Sequence, residues 1–172
     1  GAFVVSEIGG VRTVAQLVET EAYVGPHDDA SHAAERLGRT ARNAAMFASG
    51  GCAYVYLIYG MHWCLNAVTG AAGYPAAVLL RAARPVWGVE AMVARRPGRP
   101  ERELLRGPGN LCRALGVDRA LDHRPLDRPP LWLSPGAEIP AASIASGPRI
   151  GIVRAAEWPL RFWIRGDPHV SR

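Results

Sequence analysis

The chain has 172 residues, 49% of them hydrophobic, and its twenty basic side chains are all arginine. That length suffices for one core that buries about 70% of the surface an unfolded chain exposes, and no run of about 20 apolar residues offers a membrane span. A formal charge of +5 suits a polyanionic partner, the lack of lysine leaves only an N-terminal amine for imine chemistry, and three cysteines without a CxxC pair argue against a disulfide framework or a zinc site. No basic stretch followed by an apolar run opens the sequence, so the expected location is the cytoplasm, on the nucleoid in a bacterium.

Residues 2 to 7 and 11 to 24 are valine-rich and parted by Gly9-Gly10, which predicts a β-hairpin. In the second of these strands, VETEAY at 18 to 23, alternation sets Glu19, Glu21 and Tyr23 on one face and Val18, Thr20 and Ala22 on the other. With the opposite face apolar, the acidic face must border a cleft or water, because an unpaired carboxylate is costly to bury. A carboxylate that polarises a water and a plainly solvated strand face both fit. Gly25-Pro26 ends the strand, and 27 to 40 reads as a polar loop with a helical turn. Its His27, Asp28, Asp29 and His32 have the look of metal ligands, but no second cluster has ligand spacing. No metal is expected, therefore, and His32 fits a stacking or hydrogen-bonding group better. Residues 41 to 48 suit a short helix.

Tyr54 to Tyr59 is a β-rich run, Tyr59-Gly60 a turn, and Met61 to Val68 a returning strand. Tyr56 fits core packing as well as a ligand wall. Tyr59 beside the turn glycine is harder to assign to a core, because hairpin tips project into water, and a wedge for a base stack is the alternative. Asn66, inside an apolar strand, needs hydrogen-bond partners and is either a structural bridge or a reader of a ligand. A third strand, 76 to 82, ends at Arg81 and is closed by Arg84-Pro85. The Arg81 guanidinium must find an anion or water there, and Glu21 is a candidate partner.

Helical spacing marks 86 to 96, the arginine-rich stretch 95 to 106 reads as a solvated linker, and a helix over 110 to 115 stops at Gly116. A proline-rich loop follows over 123 to 140, then two strands at 149 to 153 and 160 to 165, with a turn at Glu157 to Pro159 between them.

Taken in order, VETEAY at 18, MF at 46, YVYLIYGM at 54, Asn66 and VLLRA at 78 resemble the 3-methyladenine DNA glycosylase family. The likeness continues through RGPGNLCRALG at 106, GPRIGI at 147 and PLRFWIRGDPHVS at 159. The resemblance implies an α+β fold, a single domain over residues 1 to 172 with a curved, mainly antiparallel sheet, surrounding helices and a protruding β-hairpin. It implies a monomeric, monofunctional DNA glycosylase of base excision repair that needs no cofactor, no metal and no membrane. Such an enzyme flips an alkylated or deaminated purine (3-methyladenine, 7-methylguanine, hypoxanthine or ethenoadenine) out of damaged double-stranded DNA. It then hydrolyses the N-glycosidic bond and leaves an abasic site.

By the same resemblance Glu21, rather than Glu19, is the general base, with Arg81 holding water and carboxylate in place. Tyr23, His32 and Tyr56 stack on the extruded base, Asn66 excludes guanine by crowding its exocyclic amine, and Tyr59 fills the gap left in the duplex. The family's N-terminal helix and strand have no counterpart before the segment 2 to 7. His62 and Trp63 stand where relatives often carry other aromatics, and 70 to 75 differs in length from some members. Two other classes remain to be weighed: a nucleic-acid-binding module without catalysis, and a glycosidase on free sugars that would pair Glu19 with Glu21.

Overall fold

The computed structural model describes residues 1–34 and 36–171, so Glu35 in the polar loop and Arg172 lie outside it. The described strands are β1 (Phe3–Ile8), β2 (Val11–Tyr23), β3 (Ala53–Ile58), β4 (His62–Val68), β5 (Ala77–Trp87), β6 (Asp127–Arg128), β7 (Leu131–Ser134), β8 (Ile144–Gly147) and β9 (Arg161–Ile164). They form one sheet in the order β3-β4-β5-β2-β1-β7-β6, with β9 pairing β2 and β8. Every pairing between these strands is antiparallel. Two short helices, α1 (Val89–Arg95) and α2 (Pro108–Leu115), complete an α+β architecture.

The Gly9-Gly10 turn joins β1 to β2 with both residues at positive φ, the backbone that a tight hairpin demands and glycine supplies at least cost. β2 then organises the sheet. Along one edge it pairs with β5 for most of its length; along the other it pairs with β1 over Val11 to Gln16 and with β9 over Glu19 to Glu21. Where its partner changes, the register against β5 slips on both sides of Glu19, so that Leu17 lies opposite Ala83 but Thr20 lies opposite Leu80. Such a bulge reverses the alternation of side chains between the two faces. Ala15 and Leu17 pack into the core under the helices, and an unbroken strand would have sent Glu19 and Glu21 the same way. After the bulge, Glu21 and its partner Leu79 face the opposite side.

The sheet therefore carries two apolar layers. On the helix face, Leu111, Cys112 and Leu115 of α2 pack with Met92, Leu104 and Leu105 against Val4, Leu17, Val55, Leu65 and Leu80. Gly116, at φ 75°, ends α2 in the left-handed cap that glycine favours. On the other face, Tyr54, Tyr56, Cys64 and Leu79 lie beneath Ala33, Ala45 and Met46 of the segment linking β2 to β3.

Several sequence expectations change. β5 does not close at Arg84-Pro85 but runs to Trp87. Pro85 lies opposite Ala15 beside a further register shift, where a missing N–H is tolerated. The 95 to 106 stretch is not all solvated linker: Leu104 and Leu105 are fully buried, and Arg96 donates to the carbonyls of Glu103 and Leu104. The proline-rich 123 to 140 segment contains β6 and β7, and β7 pairs with β1. Residues 149 to 153 form no strand, and the pair near the C-terminus is β8 with β9. The helix expected over 41 to 48 is a single 3₁₀ turn, Ala44–Phe47.

Candidate active site

On the face away from the helices a cleft of about 360 Å³ opens between β2, β3, β4 and β5, roofed by residues 29–32, Arg36 and residues 150–154. Glu21 is fully buried at its floor. Its Oε1 accepts the Ile150 backbone N–H at 2.7 Å and faces Arg81 Nη1 at 3.3 Å, and its Oε2 accepts the Tyr23 hydroxyl at 3.2 Å. Three partners on a carboxylate with about four acceptor sites leave capacity for one more donor, and Glu21 lines the cleft.

Arg81 reaches the cleft because it is the extra residue of the β5 bulge: Leu80 pairs with Thr20 and Ala82 with Glu19, while Arg81 itself has no opposite number. Its Nε donates to Glu19 Oε1 at 3.1 Å and to Ser171 Oγ at 3.2 Å. Glu19 shares the acidic face of β2 but is not a second carboxylate of the cleft. It is closed off by Arg81, Arg161 and Ser171, which removes the two-carboxylate pair that a sugar glycosidase would need.

The walls are aromatic. Tyr23 is backed by the Arg149 guanidinium, 4.7 Å from its ring centroid, and Arg149 in turn forms a bidentate pair with Asp28 in which both side chains are fully buried. His32 stands edge-on to Tyr56 with ring centroids 4.5 Å apart, and its Nδ1 shares a hydrogen bond of 3.0 Å with the Tyr54 hydroxyl. Burial, and after it the nearby Arg42 guanidinium, hold the His32 imidazole below its ordinary pKa. Burial pushes the Tyr23 and Tyr56 phenols far above the ordinary tyrosine range, so both are neutral at physiological pH. Asn66 donates through Nδ2 to the Tyr54 carbonyl at 3.0 Å and also lines the cleft, so the bridge and the ligand-facing position belong to one side chain.

Glu21, Arg81, Tyr23, His32, Tyr56 and Asn66, far apart in sequence, thus converge on one cavity. Tyr59 lies apart from it, at the turn of the β3–β4 hairpin, 80% exposed and at φ 53°. With Gly60 at φ 69° and the Met61 N–H donating to the Ile58 carbonyl, the turn has positive φ at both central positions, as strand twist prefers. Among the described residues no three His, Cys, Asp or Glu side chains gather as metal ligands would, and no helix is long and apolar enough to cross a membrane.

The model of the methylpurine-DNA glycosylase family matches residues 1–168. The chain belongs to this family. Relatives of the glycosylase named "Putative 3-methyladenine DNA glycosylase" include one from Myxococcus xanthus, 49% identical over the whole chain and 84% of its own length. Others come from Chlorobaculum parvum, 44% identical over 98% of the chain and 80% of the relative, and from Methanocella arvoryzae, 44% identical over the whole chain and 86% of the relative. The glycosylase has site elements that sequence reasoning missed. The Ile150 amide on Glu21 could not be foreseen from residue type, since any non-proline residue offers an N–H. The Asp28–Arg149 pair joins residues 121 positions apart. Its only sequence signal was Asp28 standing in the loop otherwise weighed for metal ligands.

Proposed function

We propose that this glycosylase flips an alkylated or deaminated purine out of double-stranded DNA into the cleft and hydrolyses its N-glycosidic bond, leaving an abasic site in an intact strand. The observation that carries this reading is the buried Glu21 carboxylate, with three partners for about four acceptor sites, among the residues that line a slot walled by Tyr23, Tyr56 and His32. Chemistry on a base within a duplex requires extrusion, which costs a few kcal/mol. Stacking on aromatic walls returns about 1–3 kcal/mol per base.

Glu21 takes a proton from water as the oxygen attacks C1′ and the purine departs with the bonding electron pair. The developing oxocarbenium charge meets the same carboxylate, and Arg81 fixes its orientation. Neutral His32 adds no positive charge against a cationic methylated base, while the Asn66 amide, tied to the strand by its bond to Tyr54, is the rigid edge that turns away guanine. Tyr59 occupies the vacated space in the duplex, an exposed ring on a hairpin tip having no folding role to fulfil. No lysine is present in these 172 residues to open the sugar through an imine and cut the strand.

Duplexes bearing single 3-methyladenine, 7-methylguanine, hypoxanthine or ethenoadenine lesions test the reading. Strand scission is expected only after alkali treatment, and scission without alkali overturns the monofunctional mechanism.

A further inference from the structure

Glu19 has no place in the mechanism so far, yet it is as buried as Glu21, and a carboxylate carried into a core must be used or fully paired. Its Oε1 accepts Arg161 Nε at 2.6 Å, Arg81 Nε at 3.1 Å and the Ser171 hydroxyl at 2.9 Å, and its Oε2 accepts the Ser171 backbone N–H at 2.6 Å. The Ser171 hydroxyl also lies 3.2 Å from Arg81 Nε, so it bridges the two. Arg161 in turn donates to the Ser171 carbonyl and stacks 4.6 Å from the Trp163 ring. Two carboxylates, Glu19 and Glu21, thereby face two guanidinium groups, Arg81 and Arg161, and the charges balance.

The geometry divides the Arg81 guanidinium between the two acids. Nε is held by Glu19 and Ser171, and Nη1 is left to face Glu21 across 3.3 Å. An arginine tied only by its tip could meet Glu21 in many ways; one whose Nε is fixed can present its Nη groups in a single plane. We infer that Glu19, together with Ser171, is a positioning element that aims Arg81 at Glu21, so that the C-terminal segment and β9 are coupled to the reacting carboxylate. The bulge supports this assignment. The register slips that turn Glu21 into the cleft lie on either side of Glu19, and the residue left unpaired on β5 is Arg81. The inference rests on the roles given above to Glu21 and Arg81.

The test is a double-mutant cycle in single-turnover excision from a hypoxanthine duplex, using Glu19→Gln, Arg81→Gln and both together. Glutamine keeps the shape of Glu19 and an acceptor oxygen but removes the charge. The expected result is an excision rate lowered about 10- to 100-fold in Glu19→Gln with lesion-DNA affinity unchanged, and no further loss when it is added to Arg81→Gln. A residue that merely stabilises the fold would instead multiply its loss with that of Arg81→Gln, and that outcome overturns the inference, as does a wild-type rate in Glu19→Gln. Should Glu19→Gln not fold, Ser171→Ala, which deletes only the bridging hydroxyl, is expected to slow excision in the wild-type background and not in Arg81→Gln; equal losses in both overturn the proposal. Glu21→Gln is run in parallel. Full activity there refutes the reading of the site, whereas the cycle measures the coupling of Glu19 to Arg81 separately.

Discussion

Substituting Asp28 by asparagine isolates the contribution of the buried pair behind Tyr23. In the native protein Asp28 receives Arg149 Nη1 at 2.5 Å and Nη2 at 2.8 Å, both side chains are wholly excluded from solvent, and Arg149 Nε has no partner among the described residues. The loss is the sum of two effects. One charge-assisted hydrogen bond disappears, and the Arg149 charge stays buried with nothing to neutralise it. Breaking a buried pair from one side in this way costs about 3–5 kcal/mol. For a chain of this length that amounts to a Tm lowered by about 6–20 °C. Asparagine also turns an N–H₂ toward the Val24 or Ala30 amide, both of which now donate to the carboxylate, so no relief is available from rotating the amide. Urea unfolding followed by tryptophan fluorescence measures the change. Replacing the pair together, Asp28→Leu with Arg149→Met, is expected to cost far less, because no charge is left buried. A Glu21-dependent rate should also fall in Asp28→Asn, since Arg149 precedes the Ile150 amide that holds the Glu21 carboxylate. An Asp28→Asn protein within about 1 kcal/mol of wild type would refute the reasoning.

Other outcomes follow from the same geometry. Tyr59→Asn keeps a residue tolerant of positive φ at the hairpin tip, so thermal stability should be retained while capture of lesion duplexes weakens; equal affinity for lesion and undamaged duplex in wild type and variant alike would remove the wedge role. Asn66→Ala should raise release of undamaged guanine relative to hypoxanthine, measured on paired duplexes, and should cost about 1 kcal/mol through the lost side-chain bond to the Tyr54 carbonyl, which stays paired in the β3–β4 ladder. Because burial and Arg42 lower the His32 pKa, the imidazole stays neutral in the folded protein where an unfolded chain would already bind a proton. Its contribution to stability is therefore complete above the unfolded value and is lost as pH falls through the folded one. A histidine-resolved NMR titration should place His32 below the ordinary histidine midpoint, with Arg42→Ala moving it upward; a midpoint at or above the ordinary value contradicts the description of the pocket.

The sequence was most legible where a local rule had one solution. Gly9-Gly10 and Tyr59-Gly60 announced hairpin turns, and the alternation of VETEAY correctly grouped Glu19, Glu21 and Tyr23 on one side. Alternation could not tell which face of the sheet that side belongs to, because the answer depends on the bulge, a property of how β2 and β5 register against each other. For the same reason it could not separate Glu19 from Glu21. Their different surroundings come from Arg161 and Ser171, more than 140 residues away. β7 was hidden by its prolines: the Pro129-Pro130 pair looks like a loop, yet Leu131 to Ser134 pair with β1 as soon as it ends. The 149 to 153 segment has the apolar composition of a strand, but Gly151 at φ 75° breaks an extended path and frees the Ile150 amide to turn inward to Glu21. The resemblance to a family named seven candidate residues that periodicity could not single out, and the structure brings six of the seven together in one cleft.

The most direct test of the account is the excision rate and DNA affinity of Glu21→Gln, in which Oε1 remains to accept the Ile150 amide but the negative charge and the proton acceptor are gone. Single-turnover release of hypoxanthine should fall by about 10²–10⁴-fold while the variant still binds the lesion duplex as tightly as wild type. A variant that releases the base at the wild-type rate would show that the buried carboxylate does not activate the attacking water.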